Sequence, residues 1–144
     1  MSAMTPRSTL NPHAALIYVM VVASAADASM SDAELHVIGD IVRTLPVFEG
    51  FDEDNIIPVS RECAAILQED DGFTAVLGLV RDALPRALRE TAYALALEIV
   101  LTEAPVYAEE NRVLQRLKSV LEVDRLTAAA LEKAAMVRHA RITN

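Results

Sequence analysis

The stretch Ser24-Ala25-Ala26-Asp27-Ala28-Ser29-Met30-Ser31-Asp32-Ala33-Glu34 ends an apolar run on a carboxylate, turns in small residues and restarts at a helix cap carrying a second carboxylate. The plan returns as Val100-Leu101-Thr102-Glu103-Ala104-Pro105-Val106-Tyr107-Ala108-Glu109-Glu110. Asp27 then maps to Glu103 and Glu34 to Glu110, both at a shift of 76 residues. Two copies of one helix–acidic turn–helix unit predict an all-α chain, and their four acids are the first candidate site.

Before the first turn, Ala14 to Ala26 is uncharged, and Leu16, Ile17, Val19, Met20, Val21 and Val22 cover every side of a helix. Such a helix has to be buried all round. Asn11-Pro12 supplies a cap and a first helical residue, so the helix is expected from about Pro12 to Asp27. The run could pass for the core of a secretory signal, since it ends in small residues. Against that stand the Asn-Pro start and a comparable run from Thr91 to Thr102, deep in the chain. It is also too short to span a bilayer, and a cytoplasmic protein is the expectation. Residues 1–10 are polar and aperiodic and read as a flexible tail, which leaves 11–144 as one domain.

After the turn, Ser31-Asp32-Ala33-Glu34 is a capping box, and Leu35, Ile38, Ile41, Val42 and Leu45 form a one-sided stripe that Pro46 stops. Residues 46–58 form a turn-rich link. Asp52 and Asp54 there lack the glycine and closing glutamate of a calcium loop. Helices are expected next from about Ile57 to Glu69, around Phe73 to Val80, and from near Pro85 to Glu103. Two more follow, from about Ala108 to Leu121 and from Asp124 to about His139. The last should turn Leu126, Ala130, Ala134 and Val137 inward. The shift of 76 also carries Ile38, Ile41 and Leu45 onto Leu114, Leu117 and Leu121. No segment alternates as a strand must. The expectation is a compact bundle of about seven helices with an internal pseudo-two-fold repeat, its two most apolar helices crossing in the centre.

Composition narrows the function. Alanine and leucine dominate and only four glycines occur, which is helix-forming material. A balance of 13 Lys+Arg against 21 Asp+Glu gives a net charge of −8, which repels phosphate backbones. With no basic stripe interleaved with aromatics, nucleic acid is a poor partner; cations or basic protein surfaces suit the chain better. Cys63 is the sole cysteine, so no disulfide framework exists, and it reads as a small buried hydrophobe. No Gly-x-Ser-x-Gly, phosphate loop or His-Glu-x-x-His helix occurs, and no Cys–His pairing lies near a turn; an enzyme is not expected.

The four acids have different local justification. Asp27 and Glu103 are expected at helix C-termini, where the backbone dipole opposes a carboxylate by a few tenths to about 1 kcal/mol. Glu34 and Glu110 are expected in first turns, where it favours them. The capping box accounts for Glu34, whereas Glu110 has Tyr107 at the position of Ser31 and no reciprocal cap. A divalent cation bridging each turn would reward all four. An all-oxygen set of Asp27, Glu34, Glu103 and Glu110, with Asp32 and Glu109 in reserve, suits calcium, magnesium or manganese better than zinc. Asp32 and His36, four apart, could make a two-ligand zinc pair, although a solvent-exposed contact is the simpler reading. His13 and His139 read as surface residues near the ends of the helical body.

At these residues the chain resembles the TerB family, small helical proteins of bacterial tellurite-resistance and stress gene clusters. The family pattern is an apolar helix, Asp-Gly, a hydrophobic residue, three positions, Glu and an amphipathic helix, given twice. Here Ala28 and Ala104 replace the glycines, Glu103 replaces an Asp, and Pro105 stiffens the second turn. The resemblance covers roughly Pro12 to His139. It implies an all-helical fold, a divalent-cation-binding acidic surface, and a role in tellurite or related stress exercised through partner proteins. The alternative is an acidic helical interaction adaptor with no metal, docking a basic partner or a neighbouring subunit.

Overall fold

The computed structural model describes residues 10–24, 31–103 and 111–142. Among them are seven α-helices and no strand: α1 (Pro12–Ala23), α2 (Asp32–Thr44), α3 (Ile56–Leu67), α4 (Gly72–Ala83), α5 (Arg89–Glu103), α6 (Arg112–Val120) and α7 (Arg125–Arg138). Short 3-10 turns at Pro46–Phe48, Glu53–Asn55 and Arg86–Leu88 join them. The all-α bundle is as expected. The tail expected over residues 1–10 falls almost wholly outside the described residues, as do Asp27, Glu109 and Glu110.

α1 starts where Asn11 Oδ1 accepts the Ala14 amide at 2.8 Å, with Pro12 in the first turn. Every residue from Ala14 to Ala23 is buried, so no face of the helix meets water. It ends earlier than the sequence suggested. Ser24 is the C-cap, its amide reaching back to Met20 and its hydroxyl donating to the Val21 carbonyl at 2.8 Å. α5 is the other central helix, burying Ala92, Tyr93, Leu95, Ala96, Leu97, Ile99 and Val100. The two form the most extensive helix pair of the bundle; α3 and α4 cover the rest of α1, while α6 and α7 rest on α5. At about 1.5–3 kcal/mol for each large aliphatic side chain removed from water, this pair supplies much of the driving force.

The two halves depart from two-fold packing. α2 lies on α3 and the linking turns, whereas its counterpart α6 contacts α5, α4 and α1. Accordingly Leu45 is 38 % exposed, while its counterpart Leu121 is buried. Between α3 and α4 the chain reverses through Asp71, in the left-handed region at φ 57°. Gly72 follows because a Cβ there would lie 2.1 Å from the Ile66 carbonyl oxygen. Asp52 serves the backbone. Its carboxylate accepts the Asp54 amide at 2.9 Å and caps a 3-10 turn.

α7 corrects the sequence reading. Leu126 and Val137 are 81 % and 61 % exposed, and Ala130 and Ala134 also face outward. The inward face holds Ala128 and Ala135, with Leu131, Glu132 and His139 partly buried. Alanine makes both faces apolar, so hydrophobicity alone does not set the rotation. Polar pairing does. The buried Tyr93 hydroxyl donates to Glu132 Oε2 at 2.5 Å, and Lys118 reaches the same oxygen at 3.1 Å. His139 and Arg138 both engage Glu98 of α5, His139 Nε2 at 3.1 Å. Rotating α7 to bury Leu126 would strand these groups, at roughly 1–3 kcal/mol for each one left unpaired.

Candidate functional site

Glu34, the acid of the first turn whose surroundings are described, belongs to the capping box of α2. Ser31 Oγ accepts the Glu34 amide at 3.1 Å, and Glu34 Oε1 accepts the Ser31 amide at 2.8 Å. Its carboxylate thus has a structural use in hand. Glu103 is the last residue of α5, whose final turn contains no basic residue. Asp27 and Glu110 fall outside the described residues, as does reserve Glu109.

The second helix start is also corrected. α6 was expected from Ala108, but its cap is Asn111, whose Oδ1 accepts the Leu114 amide at 3.0 Å. It therefore begins four positions later than the shift of 76 from Ser31 would put it. A short amide acceptor makes a better cap than Tyr107, and Asn111 was the legible signal.

Asp32 does not meet His36. His36 instead lies 3.4 Å from Asp40, both well exposed. Asp40 also holds Arg43 at 2.7 Å, and this hydrogen bond, with Glu53 beyond, raises the guanidinium above its ordinary value. Among the described residues no group of three or more His, Cys, Asp or Glu side chains is placed to hold a metal ion. Two histidines read as surface residues are tied into the fold. His13 bonds the Val47 carbonyl at 2.9 Å and packs against Phe48 and Phe51, and His139 pairs with Glu98. Cys63 is fully buried with Sγ 3.9 Å from the Tyr18 carbonyl, and burial pushes its thiol up to about 12. Asp124, which caps α7, is held below the usual carboxylate range chiefly by the Thr127 amide.

An apolar concave feature lies elsewhere. A cavity of about 270 Å³ opens between α2 and α7 over a floor made by α5. Ile41 and Leu45 form one wall, Leu131 and Ala134 the other, and Ala94 and Leu95 lie beneath. Glu98, 18 % exposed, closes it together with Arg138. Six large hydrophobic side chains are exposed among the described residues. Leu45 lies at the end of α2 beside this groove, and Leu126, Met136, Val137 and Ile142 lie on α7 or just past it; only Ile57 lies apart. At 100° per residue, Ala134 on the groove wall continues into Ala130, Val137 and Leu126 on the outer face. Sequence reasoning missed this surface because it assigned the same stripe to the core. The signal was available in the polar residues: Glu132 and His139, seven apart, mark the opposite face.

A second hollow of about 390 Å³ lies beside Arg43, Glu49 and Glu53, open and more polar. No helix among the described residues is long and apolar enough to cross a membrane. Compared with known proteins, the chain matches no family model, no curated sequence and no solved structure.

Proposed function

We propose that this chain is a non-catalytic, cytoplasmic helical interaction module that acts by docking another protein on the α2–α5–α7 face. One observation carries the reading. α7 leaves Leu126, Met136 and Val137 exposed while Ala128 and Ala135 sit in the core, and this exposed apolar side runs into an apolar groove. Monomeric soluble proteins rarely leave large contiguous apolar patches uncovered unless something binds there. The lone thiol is buried and held protonated, consistent with a structural role for Cys63.

A photo-crosslinking amino acid placed at Val137, with a second variant carrying it at Ile57 on α3, tests the reading inside the producing cell. A discrete protein adduct at 137 and none at 57 is the expected result. Equal labelling at both positions, or none at 137, would remove the proposal.

A second reading keeps the acidic turns as a divalent-cation site built from Asp27, Glu34, Glu103 and Glu110, serving stress response in the manner of the TerB resemblance. What favours it is Glu103 at the end of α5 with no basic residue in the last turn to balance the dipole. Calcium, magnesium or manganese at millimolar concentration should then release or absorb heat in calorimetry and raise the melting temperature. Silence in both, with zinc as a further control, removes this reading.

A further inference from the structure

We infer that the occupant of the α2–α5–α7 face is an acidic amphipathic helix of a partner protein; this rests on the interaction reading above and specifies its chemistry. The shape of the face suits a helix. Two helical walls over a helical floor make a trough, and α7, at 14 residues, is about 21 Å long. A partner helix of three to four turns matches that length, and a groove of this kind takes anchors spaced i, i+3/i+4 and i+7. The groove itself accommodates one or two aliphatic anchors, and Leu126, Ala130 and Val137 extend the contact outward.

Charge selects the partner. Arg125, Lys133 and Arg141 are exposed and have no ion-pair partner among the described residues, and Arg138 at the groove is held by Glu98. The only acid on α7, Glu132, is turned inward to Tyr93 and Lys118. The outer face of α7 is therefore apolar and carries Lys133, with Arg141 just past the helix end; Arg125 lies about 180° round the helix from Ala134. On the facing wall, Arg43 pairs with Asp40 at 2.7 Å and with Glu53 at 3.4 Å, Glu34 is engaged in its cap, and the exposed Asp32 sits at the opposite end of α2 from the groove residues Ile41 and Leu45. Carboxylates flanking the partner's apolar stripe would complement Lys133 and Arg141 on approach.

The same charges disfavour two other occupants. A second copy placing α7 against α7 would oppose cation to cation. An anionic membrane, being broad and flat, would spread past the face over the surface of a chain of net charge −8, which repels it, whereas a single helix in the trough meets Lys133 and Arg141 locally.

The test is a selection against the whole chain. The library consists of 18-residue helical peptides with leucine at i, i+4, i+7 and i+11 and Glu, Gln or Lys randomised beside them. The expected result is at least fivefold enrichment of Glu over Lys in the binders. A selected peptide should lose tenfold or more in affinity on Ala134→Gln. The double variant Lys133→Glu, Arg141→Glu should reverse the preference towards Lys peptides. All three positions are exposed, and circular dichroism verifies that each variant is folded. Binders that respond to Ala134→Gln but show no charge preference would overturn the acidic partner and leave the interaction reading standing. Absence of any binder sensitive to Ala134→Gln would overturn both. A concentration-dependent dimer in sedimentation that Ala134→Gln abolishes would assign the face to a second copy instead. Binding to phosphatidylserine vesicles that the double charge variant abolishes would assign it to a membrane.

Discussion

α1 and α7 are both rich in apolar residues, yet they sit in the bundle under different rules. α1 has large hydrophobic side chains on every side, so any rotation buries the same material, and its neighbours simply surround it. α7 offers alanine on one face and Leu126, Val137 and cations on another, and either face could meet α5. Its orientation is decided by Tyr93, Glu98 and Lys118, which need Glu132, Arg138 and His139. The first helix is placed by the amount of apolar surface, the second by a few hydrogen bonds. A helix held the second way can leave its larger hydrophobic residues free for another protein.

Truncation gives the widest contrast between the two. Leu16→Ala in α1, at a fully buried position, should cost about 2–5 kcal/mol in chemical denaturation. Equal tolerance of Leu16→Ala and Leu126→Ala would erase the distinction. Next comes the polar register of α7. Glu132→Ala leaves the Tyr93 hydroxyl buried without its acceptor and should cost about 1–3 kcal/mol. Adding Tyr93→Phe to Glu132→Ala should recover part of that loss, as a double-mutant cycle would register.

A smaller effect appears in base. The Cys63 thiol is raised from its ordinary value near 9.0 to about 12 by burial, whereas in the unfolded chain it ionises normally. Above pH 9 the unfolded state therefore binds fewer protons, and stability falls as pH rises towards 12, by at most about 1.4 kcal/mol per pH unit. Below that window this thiol contributes no pH dependence. Tyr93, raised by burial and by Glu132, adds a loss of the same sign at higher pH. Denaturation series at pH 9 to 10 should show a shallower slope for Cys63→Ala than for the parent chain. Leu126→Ala, on the exposed face, should change stability by no more than about 0.5 kcal/mol. A much larger loss would mean that this face is already covered, by a second copy of the chain.

The candidate sites were unequally legible. The four acids stand out as a repeated pattern, but Glu34 turned out to serve a capping box, and the cap of α6 moved the second copy out of step at Asn111. A fixed shift in sequence does not guarantee matching helix starts, because the nearest good cap wins locally. The groove was hidden for the opposite reason: its residues look like core. Leu126, Ala130, Ala134 and Val137 have the spacing of a buried stripe, and only the polar Glu132 and His139 mark the other side, where Ala128 and Ala135 are buried and Leu131 is partly so.

By itself the amino-acid order determined the helices: Asn11-Pro12 and Ser31-to-Glu34 start two of them, Asp71-Gly72 separates two others, and the apolar mass of α1 and α5 puts those two in the centre. These are local or near-local matters of backbone capping, steric room and total hydrophobicity, and each can be read over a few turns. Only the tertiary structure decided which way α7 faces and therefore which surface is left for a partner. That choice depends on Tyr93, Glu98 and Lys118 finding Glu132, Arg138 and His139 across 14 to 41 residues of chain. A buried hydroxyl or carboxylate has to be paired wherever its partner lies in sequence, and that requirement has no periodicity to read.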